Sequence, residues 1–570
     1  MVRRRSAQAK VFRDNTVPGD YVKLSATAVA ISDTPIFQRL RYLKQLGMAE
    51  FVFPGATHTR FFHSLGVAHR AKEFAQRLKS RQPELELSDA DLLVLEIAGE
   101  ARGAALPCSW AWDHSCTHAG MRVMAPRPAV PCCAVLRLRC SAGLCHDLGH
   151  GPFSHSFESE LVPHLLPQGE TWEHERMSCV LFDHICHTYH VDLSPDEQQR
   201  VKDLIVGSRE EARADWTGRE WQFDIVANKR NGLDVDKLDY LKRDNVACGF
   251  LTTADFSALY EAMKVIDGRV CFRTSVRSVV QAVYSARAQM HEFVYTHPVA
   301  KAVEYMVVDA LRLVAGEIGI PEALHDPERY ALLDDTILRT IERSTSQTST
   351  MLAAQDLLRR LRVRDIYKHA GSADIPQDKV ETYPKVKPEE ILQCQDPASG
   401  VQLLPSDVRV HNLKIDYTQH NENPLKHVGF YVNEEDEECV PFAPGNPFAP
   451  STFITRQVRI YLVRLCNSPE EKRQYNEAVK AAFAAWSRKV LQTEMLMSPQ
   501  KSTLTASARK RQHPGSSQQG GTAPGSRPAS AAGTATAPNG IVQAGSALDD
   551  DDQPVACSQS HEPAAKKLQF

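Results

Sequence analysis

Apolar residues recur at intervals of three and four positions from Ile36 to about Leu361, and this spacing constrains the fold more than any other feature. It is clearest in FQRLRYLKQLG and in VVQAVYSARAQMHEFVY. Because an α-helix turns once in 3.6 residues, such spacing places the apolar side chains on one face. The body of the chain is therefore predicted to be helical.

A different pattern follows the helical body. Between Val408 and Leu465, the segments VRVHNLKIDY, HVGFYV and QVRIYLVRL alternate apolar and polar residues, which is typical of strands. Helical spacing returns from Asn467 to Met497, and the last segment is rich in Gly, Ser, Ala and Pro. We predict a mainly α fold with a smaller C-terminal mixed α/β lobe and a disordered tail. The expected boundaries are 1–32 for an N-terminal regulatory segment, 33–370 for the helical body, 371–497 for the lobe and 498–570 for the tail.

The composition excludes several classes of protein. A 570-residue chain with 42% hydrophobic residues is neither wholly disordered nor collagen-like, and a formal charge of −3 gives no global attraction to nucleic acid. The N-terminus lacks the apolar core of a secretory signal, and the apolar runs are too short to cross a bilayer. We expect a soluble intracellular protein with no membrane partner, whose fourteen cysteines are mostly reduced.

One segment fits neither pattern. Residues Glu100–Ala142 carry five of the fourteen cysteines and several prolines, without a sustained period. Two interpretations remain open at this point. The segment is either a surface loop that leaves the body and returns to it, or translated intron sequence between fragments that would otherwise join as IAGLCHDLGHG.

The string LCHDLGHGPFSH concentrates chemistry in one short stretch. It contains His146, Asp147, His150 and His155. In a helix His146 and His150 would share a face, and the following glycines and proline would end that helix. Imidazole and carboxylate ligands suit Fe, Mn, Zn, Ni or Mg. An isolated His-Asp pair is more often structural, but the extended string is much rarer.

Two further strings supply charged residues in an apolar helical setting. HTRFFHSLG spans His58–Gly66, and NKRNGLDVDKLDYLKRD spans Asn228–Asp244. If the second helix packs on the body, its aspartates cannot all face solvent, and at least one is a candidate metal ligand. A solvated acidic face is the alternative interpretation.

These strings in this order resemble the HD-domain phosphohydrolase superfamily. Together with DTPIFQRLRYLKQLG and VANKRNGLDVDKLDYLKRD, they are similar to the SAM- and HD-domain-containing deoxynucleoside triphosphate triphosphohydrolases of vertebrates. The resemblance runs from about Lys10 to about Lys501, outside the segment 100–142, and makes residues 33–370 an HD phosphohydrolase domain. Only about nine residues precede Lys10, so we expect the chain to lack the SAM module.

The resemblance implies a metal site and a reaction. The family's metal ligands fall on His63, His146, Asp147 and Asp236, which would hold Fe, Zn or Mn, with Mg also required. In the family, water attacks the α-phosphorus of a deoxynucleoside triphosphate and releases the nucleoside and triphosphate. This implies an enzyme that lowers dNTP pools and restricts viral DNA synthesis as part of innate immunity.

The same resemblance assigns further roles. The general acid is His155, oriented by Glu158 where the family has Asp. His150 and His174 match histidines that contact phosphate. Further phosphate contacts fall on Arg60, Lys237, Tyr240 and Arg287, and contacts to the sugar fall on Gln45, Asp244 and Tyr295. Without the resemblance, these residues would be assigned to surface ion pairs or to packing.

Regulation is implied in part. Lys10, Val11, Asp33, Gln38 and Arg41 match a guanine-reading allosteric site that binds GTP and supports an active homotetramer. At a second nucleotide site Arg273 is kept, but Ala258, Ser275 and Pro298 stand where the family has cations. Because a polyphosphate between subunits needs compensating charge, the sequence does not by itself predict activation there by a dNTP.

The tail and termini carry short motifs of low specificity. Ser498-Pro499 resembles a site for a cyclin-dependent kinase, and KKLQF resembles a cyclin-docking segment. Basic runs at Arg3–Arg5 and Arg509–Arg511 favour the nucleus, with the cytoplasm as a second location. Two alternative functions stay open. The chain is another HD phosphohydrolase acting on nucleoside monophosphates or cyclic nucleotides, or a catalytically impaired relative that binds single-stranded RNA or DNA.

Overall fold

The computed structural model describes residues 8–14, 21–98, 143–250, 256–419, 421–441 and 452–496. Helices dominate these ranges, so the prediction of a mainly α fold is confirmed. The helices are α1 (Ala26–Ser32), α2 (Pro35–Gln38), α3 (Arg60–Arg81), α4 (Asp89–Ala98), α5 (Gly143–His146), α6 (His174–Tyr189), α7 (Pro195–Val206), α8 (Gln222–Val226), α9 (Val235–Cys248), α10 (Ser257–Glu261), α11 (Arg277–Met290), α12 (Pro298–Val314), α13 (Ile320–Ala323), α14 (Pro327–Tyr330), α15 (Ile337–Arg343), α16 (Ser349–Arg362), α17 (Pro388–Leu392) and α18 (Pro469–Trp486).

The strands form three small sheets. They are β1 (Lys10–Arg13), β2 (Tyr21–Leu24), β3 (Met263–Ile266), β4 (Arg269–Arg273), β5 (Lys368–Asp374), β6 (Val408–Asp416), β7 (Gly429–Tyr431) and β8 (Ile454–Leu462). Strands β1 and β2 pair antiparallel, β7 lies parallel to β4 in the order β3-β4-β7, and β8 is the centre of the order β5-β8-β6.

The C-terminal lobe follows the predicted pattern with one difference. Strands β6 and β8 and helix α18 appear where alternation and helical spacing predict them, and they surround a separate apolar cluster with Trp486 and Phe483. The segment HVGFYV, however, joins β4 rather than β6 or β8. Its partner lies more than 150 residues earlier in the chain, a relation that periodicity cannot show.

Helix α3 lies at the centre of the helical body. It contacts α4, α5 and α9, and its inward face includes Phe61, Leu65 and Phe74, each less than 5% exposed. A Cβ at Gly66 would overlap the side chains of Asp239 and Arg243 on α9. The missing side chain therefore lets two charged residues of α9 reach the axis of α3.

Helix α9 is delimited by its own sequence. The carboxylate of the N-cap residue Asp234 accepts from the backbone N–H of Lys237 at 3.2 Å, which satisfies one of the free N–H groups of the first turn. Gly249 ends the helix at φ 77°, a left-handed conformation that glycine adopts without a steric cost. These two boundaries set which residues of the DVDKLDYLKRD string face α3.

Several predictions fall outside the described residues. They include the segment 100–142, the tail from 498 with Ser498, and the basic runs at both ends. The domain boundaries also remain predictions. Among the described helices, none combines the length and the apolar content that crossing a bilayer requires.

Candidate active site and metal centre

The first turn of α3 supplies two buried polar residues. Thr59 is the N-cap residue in an extended conformation, and Arg60 begins the helix. Arg60 and His63 are three positions apart and therefore share a face. Their exposed fractions are 2% and 0%, so both side chains point into the protein.

The HDLGHG string adopts a helix end rather than a continuous helix. Helix α5 ends at His146, a single 3₁₀ turn covers Asp147–Gly149, and His150 is extended. The prediction that His146 and His150 share a helical face is therefore wrong. The chain changes direction between them, which lets both rings reach the same carboxylate of Asp147.

Buried side chains from distant helices hold the backbone of this turn. Arg39 donates to the carbonyl oxygens of Leu148 at 2.9 Å and His150 at 2.5 Å, and Tyr330 donates to that of Gly149 at 2.7 Å. A Cβ at Gly149 would overlap the backbone of α6 at His174. Glycine therefore lets the turn lie directly on the start of α6. The side chains of Arg39 and Tyr330 satisfy the three buried carbonyl oxygens of the turn, which would otherwise lack hydrogen bonds.

Four ligand side chains converge between α3, the turn and α9. His63 Nε2 lies 3.0 Å from Asp236 Oδ1 and 3.9 Å from Asp147 Oδ2, and His146 Nε2 lies 2.9 Å from Asp147 Oδ1. Each of the four side chains is 0% exposed. Ligand atoms of His63, His146 and Asp236 lie within 4.8 Å of one another, a spacing that one metal ion can bridge.

The electrostatics of this cluster fit a cation. Although burial alone raises the pKa of Asp147, the neighbouring Arg60 and His146 hold it well below its usual range. Neither oxygen of Asp147 accepts a hydrogen bond of good geometry, even though both are buried. Burial lowers the pKa of His63, but Asp236 and Asp239 raise it to about 10. The two carboxylates thus favour a positive charge at the position of His63, and the nitrogen and oxygen donors of the cluster suit a divalent metal.

A second carboxylate orients the histidine of α3. Asp239 Oδ2 accepts from His63 Nδ1 at 2.9 Å, which leaves Nε2 as the nitrogen that faces the cluster. Asp239 also accepts from Arg70 at 3.0 Å and from Arg243 at 2.9 Å. Arg243 in turn contacts Asp14 at 3.1 Å, just after β1. A continuous ionic network therefore connects the N-terminal strand with a ligand side chain.

Three histidines form a second group beside the ligands. The rings of His150 and His174 stack with centroids 3.9 Å apart and planes inclined by 18°. His155 is perpendicular to both, at 5.0 Å from His150 and 5.9 Å from His174. Since His150 Nε2 is also 3.3 Å from Asp147 Oδ1, the group adjoins the ligand cluster.

The carboxylate of Glu158 does not pair with the expected histidine. We predicted that Glu158 orients His155, but its Oε2 lies 2.8 Å from His174 Nδ1, and no described hydrogen bond joins it to His155. Residues Phe157–Leu161 form a π-helical turn, which is wider than an α-helical one. That turn, together with the extra methylene of Glu, carries the carboxylate past His155 to α6.

The two residues before His155 have unusual backbone conformations. Phe153 and Ser154 have φ values of 61° and 58°, a region that residues with a side chain rarely adopt. The Phe153 N–H donates to Asp335 at 2.8 Å, and Ser154 Oγ accepts from Arg60 at 2.8 Å. Strained backbone held by buried partners is common at functional sites, and here it positions His155.

The predicted phosphate contacts include three buried donor residues. Lys237 is fully buried and donates to both oxygens of Asp234, at 3.0 and 2.9 Å. Arg287 donates to the Asp416 carbonyl at 2.6 Å, while its Nε is buried without a hydrogen bond. The Tyr240 hydroxyl is also buried without a partner. Arg287 Nε and the Tyr240 hydroxyl are therefore available to an anionic ligand, whereas Lys237 and Arg60 are paired with Asp234 and Asp147.

The predicted sugar contacts lie around one aspartate. Asp244 accepts from the Tyr295 hydroxyl at 2.7 Å, and its other oxygen is 2.8 Å from His58 Nε2. The rings of Tyr240 and Tyr295 are 6.2 Å apart. Gln45 Oε1 is buried without a hydrogen bond. The structure thus brings Tyr240, Asp244 and Tyr295 together.

Two histidines in this region escaped the sequence prediction. His291 is buried with its ring 4.9 Å from that of Tyr295, and burial followed by Arg287 lowers its pKa well below the usual value. His291 lies four residues after Arg287 and four before Tyr295, and residues at this spacing share a face of a helix. This spacing could have identified it from the sequence. His58 contacts Asp244 across 186 residues of sequence. No local pattern shows that contact.

Comparisons with known proteins identify relatives of this chain. A family model described as the HD associated region matches residues 254–399. A Dictyostelium discoideum protein named deoxynucleoside triphosphate triphosphohydrolase SAMHD1 homolog is 32% identical over 480 residues, which cover 84% of this chain and 80% of that protein. The chain belongs to the SAMHD1 family. The human and chicken proteins named deoxynucleoside triphosphate triphosphohydrolase SAMHD1 are 30% and 31% identical, over 82% and 80% of this chain and 72% of each relative.

The first predicted allosteric site of the SAMHD1 family lies on an exposed surface of this chain. Lys10 on β1 forms an ion pair of 2.5 Å with Asp33. Gln38 accepts from Arg41 at 2.6 Å and donates to the Ser32 carbonyl at 2.6 Å, next to Asp33. Val11 is 61% exposed. Four of the five predicted residues thus form two separate polar pairs.

At the second predicted site, one acidic side chain opposes the remaining cation. Arg273 forms an ion pair with Glu434, which also binds Arg81 at 2.8 Å. Because Glu434 neutralises the arginine that this chain keeps, the surface is less attractive to a polyphosphate than the SAMHD1 pattern of cations would suggest. The finding extends the sequence observation at Ala258, Ser275 and Pro298.

Proposed function

We propose that the chain hydrolyses deoxynucleoside triphosphates to the deoxynucleoside and inorganic triphosphate in a metal-dependent reaction. The observation that carries the proposal is the convergence of His63, His146, Asp147 and Asp236 in a fully buried cluster next to three histidines. Membership of the SAMHD1 family supports the same reaction. A site for a monophosphate or a cyclic nucleotide would need fewer cations than Arg60, Lys237 and Arg287 provide.

These four residues would hold the metal, with Fe, Zn or Mn as the ion best suited to imidazole and carboxylate, and with Mg as a further requirement. When bound, such an ion supplies a Lewis acid that activates water and neutralises charge on the phosphate. Asp239 keeps His63 in the tautomer that presents Nε2. The protein therefore holds the ligand set in place before substrate arrives.

The buried cations receive the triphosphate. Arg60 lies between Asp147 and Ser154, so it faces both the ligand cluster and the histidine group. Lys237 exchanges its contacts with Asp234 for phosphate oxygens, and Arg287 offers its free Nε. Charge-assisted hydrogen bonds of this kind are about twice as strong as neutral ones, and they orient the α-phosphorus for attack.

Selection of the deoxyribose falls to the group around Asp244. Its carboxylate accepts a hydrogen bond from the 3′-hydroxyl, and the Gln45 amide N–H donates one to it. Tyr295 occupies the space beside the 2′ carbon. A ribose 2′-hydroxyl would push Tyr295 away from Asp244. The hydrogen bond of 2.7 Å between these two side chains would then be lost. Ribonucleotides are rejected because their binding would leave the buried hydroxyl of Tyr295 without its hydrogen-bond partner, which costs free energy.

Product analysis tests the proposal. We expect the purified full chain, supplied with Mn or Mg and an activating nucleotide, to release triphosphate and deoxyguanosine from dGTP. The Asp147→Ala variant should lose at least about 10³-fold in rate, since it removes a ligand. The Asp183→Ala variant removes an exposed carboxylate of α6 and should keep full activity.

Deleting residues 100–142 separates two causes of inactivity. If the full chain is inactive and the deletion variant is active, this segment inhibits the enzyme. If both proteins are inactive, the proposal is contradicted and the single-stranded nucleic-acid-binding alternative is favoured. Release of monophosphate or pyrophosphate would also contradict the proposal.

The finer aspects of SAMHD1 biology are also proposals for this chain. They are activation by GTP, a homotetramer, placement in the nucleus, phosphorylation at Ser498 and restriction of viral DNA synthesis through lower dNTP pools. The polar pairs that link Lys10, Asp33, Gln38 and Arg41 support the GTP site. Sedimentation with and without GTP tests assembly, and a chain that stays monomeric at saturating GTP contradicts it. Imaging of the tagged chain and measurement of cellular dNTPs test the remaining proposals.

A further inference from the structure

One carboxylate joins two segments of the site that lie far apart in the sequence. Asp335, in the loop between α14 and α15, accepts from the backbone N–H of Lys44 at 2.9 Å and from that of Phe153 at 2.8 Å, one at each oxygen. Its own backbone N–H donates to the Tyr42 carbonyl at 3.2 Å. Asp335 therefore fixes the segment around Lys44 against the turn at Phe153.

Each of these segments carries proposed substrate contacts. Gln45, a proposed contact of the 3′-hydroxyl, follows Lys44 directly, and its Oε1 is buried without a hydrogen bond. Ser154 follows Phe153 and accepts from Arg60, a proposed phosphate contact, at 2.8 Å. The two hydrogen bonds of Asp335 therefore lie one residue away from a sugar contact on one side and from the partner of a phosphate contact on the other.

The backbones of the two segments touch each other. A Cβ at Gly47 would lie 3.3 Å from the carbonyl oxygen of Phe153. Ser154 Oγ lies 3.4 Å from the Lys44 carbonyl oxygen. Phe153 has a φ of 61°, and the hydrogen bond from its N–H to Asp335 helps to hold this strained conformation. A small displacement of either segment would therefore be transmitted to the other.

A carboxylate suits this position better than an amide. An ionised Asp has two acceptor oxygens, whereas Asn has one acceptor and one donor group. In Asn the NH2 group would face a backbone N–H, which would lose its hydrogen bond. The Lys44 ammonium pairs with Glu50, so Asp335 binds the backbone of Lys44 rather than its side chain.

The two segments also have anchors of their own. The first is bound to the start of α3, and the turn is bound through its carbonyl oxygens by Arg39 and Tyr330. Among the hydrogen bonds of the described residues, the direct connections between the two segments are the Ser154 contact and the pair that Asp335 accepts. Loss of the Asp335 carboxylate would therefore shift the segments relative to each other without unfolding either one.

We propose that Asp335 is a positioning residue that sets where Gln45 lies relative to the phosphate contacts, and thereby determines selectivity for substrates with a 3′-hydroxyl. The inference rests on the proposed triphosphohydrolase function. Asp335 touches no substrate itself and acts through Gln45. Because a displacement of about 1 Å can cost about 10²-fold in rate, the loss of one of its two hydrogen bonds should be measurable.

A double-mutant cycle with dGTP tests whether Asp335 acts through Gln45. The wild-type chain, Asp335→Asn, Gln45→Ala and the double variant are compared by kcat and KM, and thermal melting identifies any variant that misfolds. Asp335→Asn should lower kcat/KM by about 10- to 100-fold in the chain with Gln45. In the Gln45→Ala chain, it should cost no more than about threefold. Asp335→Glu keeps two acceptor oxygens and should lose less than Asp335→Asn.

The 3′-deoxy analogue of dGTP gives an independent readout, since it lacks the hydroxyl that Gln45 contacts. Asp335→Asn should lower kcat/KM for this analogue by no more than about threefold. The control Asp334→Asn removes a carboxylate that accepts from Thr336 at 2.8 Å in the same loop, and should leave both substrates unaffected. No loss in Asp335→Asn, equal losses on both substrates, or independent effects in the cycle would overturn the proposal. A wild-type chain that releases no triphosphate from dGTP would instead defeat the proposed function.

Acidification changes the same carboxylate without a mutation. Burial raises the pKa of Asp335 to about 6, and a protonated carboxyl, like an amide, presents a donor in place of one acceptor. The charged groups that face it are Asp334 on its own loop, and Lys44 and Arg39 on the neighbouring segment. The preference of the wild-type chain for dGTP over the 3′-deoxy analogue should therefore decrease as the pH falls through about 6. A preference that does not change across this pH range would contradict the proposal, even if Asp335→Asn fails to fold.

Discussion

The candidate ligand cluster and the proposed regulatory surface of this chain use charge in different ways. His63, His146, Asp147 and Asp236 are completely buried, and each is positioned by further polar side chains or by a held backbone. The ion pairs Lys10–Asp33 and Arg273–Glu434 have side chains that are 37% to 52% exposed. Buried charges require complete networks, whereas exposed pairs contribute little and are easily replaced.

The difference teaches where this chain departs from its family. All four proposed ligand positions match the family pattern, and the loss of one member would leave other buried charges uncompensated. At the second predicted nucleotide site, a single exposed acid, Glu434, pairs with the remaining arginine. We therefore expect catalysis to be conserved more strictly than its control, and the following variants test that expectation.

The largest effect is expected at the carboxylate behind the ligands. Asp239→Asn removes the negative charge that Arg70 and Arg243 share and one of the two acceptor oxygens, which weakens the hold on His63, although the side chain touches no substrate. Metal affinity should fall by about 10- to 100-fold, and the free energy of unfolding should fall by about 3–5 kcal/mol. Metal titration and thermal unfolding measure the two effects.

An exposed carboxylate provides the matched control. Asp183→Asn makes the same change on α6, where Asp183 is 49% exposed beside Lys202, and its unfolding free energy should stay within about 0.5 kcal/mol of the wild type. If Asp239→Asn behaves like this control, the contrast between buried and exposed charge is wrong.

A moderate effect is expected on the regulatory surface. Glu434→Gln frees Arg273 and Arg81 for a polyphosphate. The dNTP concentration for half-maximal assembly should fall by about two- to fivefold at low salt, an exposed-pair effect that salt should reduce. Sedimentation across a dNTP series measures it. Assembly that is unchanged at every salt concentration would show that Glu434 does not mask a nucleotide site.

The smallest effect is expected at the N-terminal pair. Since Lys10 and Asp33 are 44% and 52% exposed, Lys10→Ala should reduce the free energy of unfolding by less than about 1 kcal/mol. The GTP concentration for half-maximal activation should rise, because one of the proposed cations is lost. A destabilisation above about 2 kcal/mol with an unchanged GTP response would make Lys10 structural rather than regulatory.

The sequence predicts some parts of this molecule better than others. Helical spacing predicts α3, α9 and α18, since this pattern is local, and the resemblance of the HD strings to a known family implies the ligand residues. The partner of Glu158 was predicted wrongly, because a π turn redirects the side chain and no periodicity reveals it. The contacts of Asp244 with His58 and of Arg273 with Glu434 join segments more than 150 residues apart. Only the three-dimensional structure shows them.

Metal content measured alongside triphosphate release tests the central claim most directly. The wild-type chain should bind one tightly held ion, lose triphosphate release from dGTP after chelation, and regain it in proportion to the ion restored. Asp236→Asn should retain less than about a tenth of that ion and show correspondingly little activity. Full triphosphate release by a metal-free chain, or unchanged metal content in Asp236→Asn, would contradict the account.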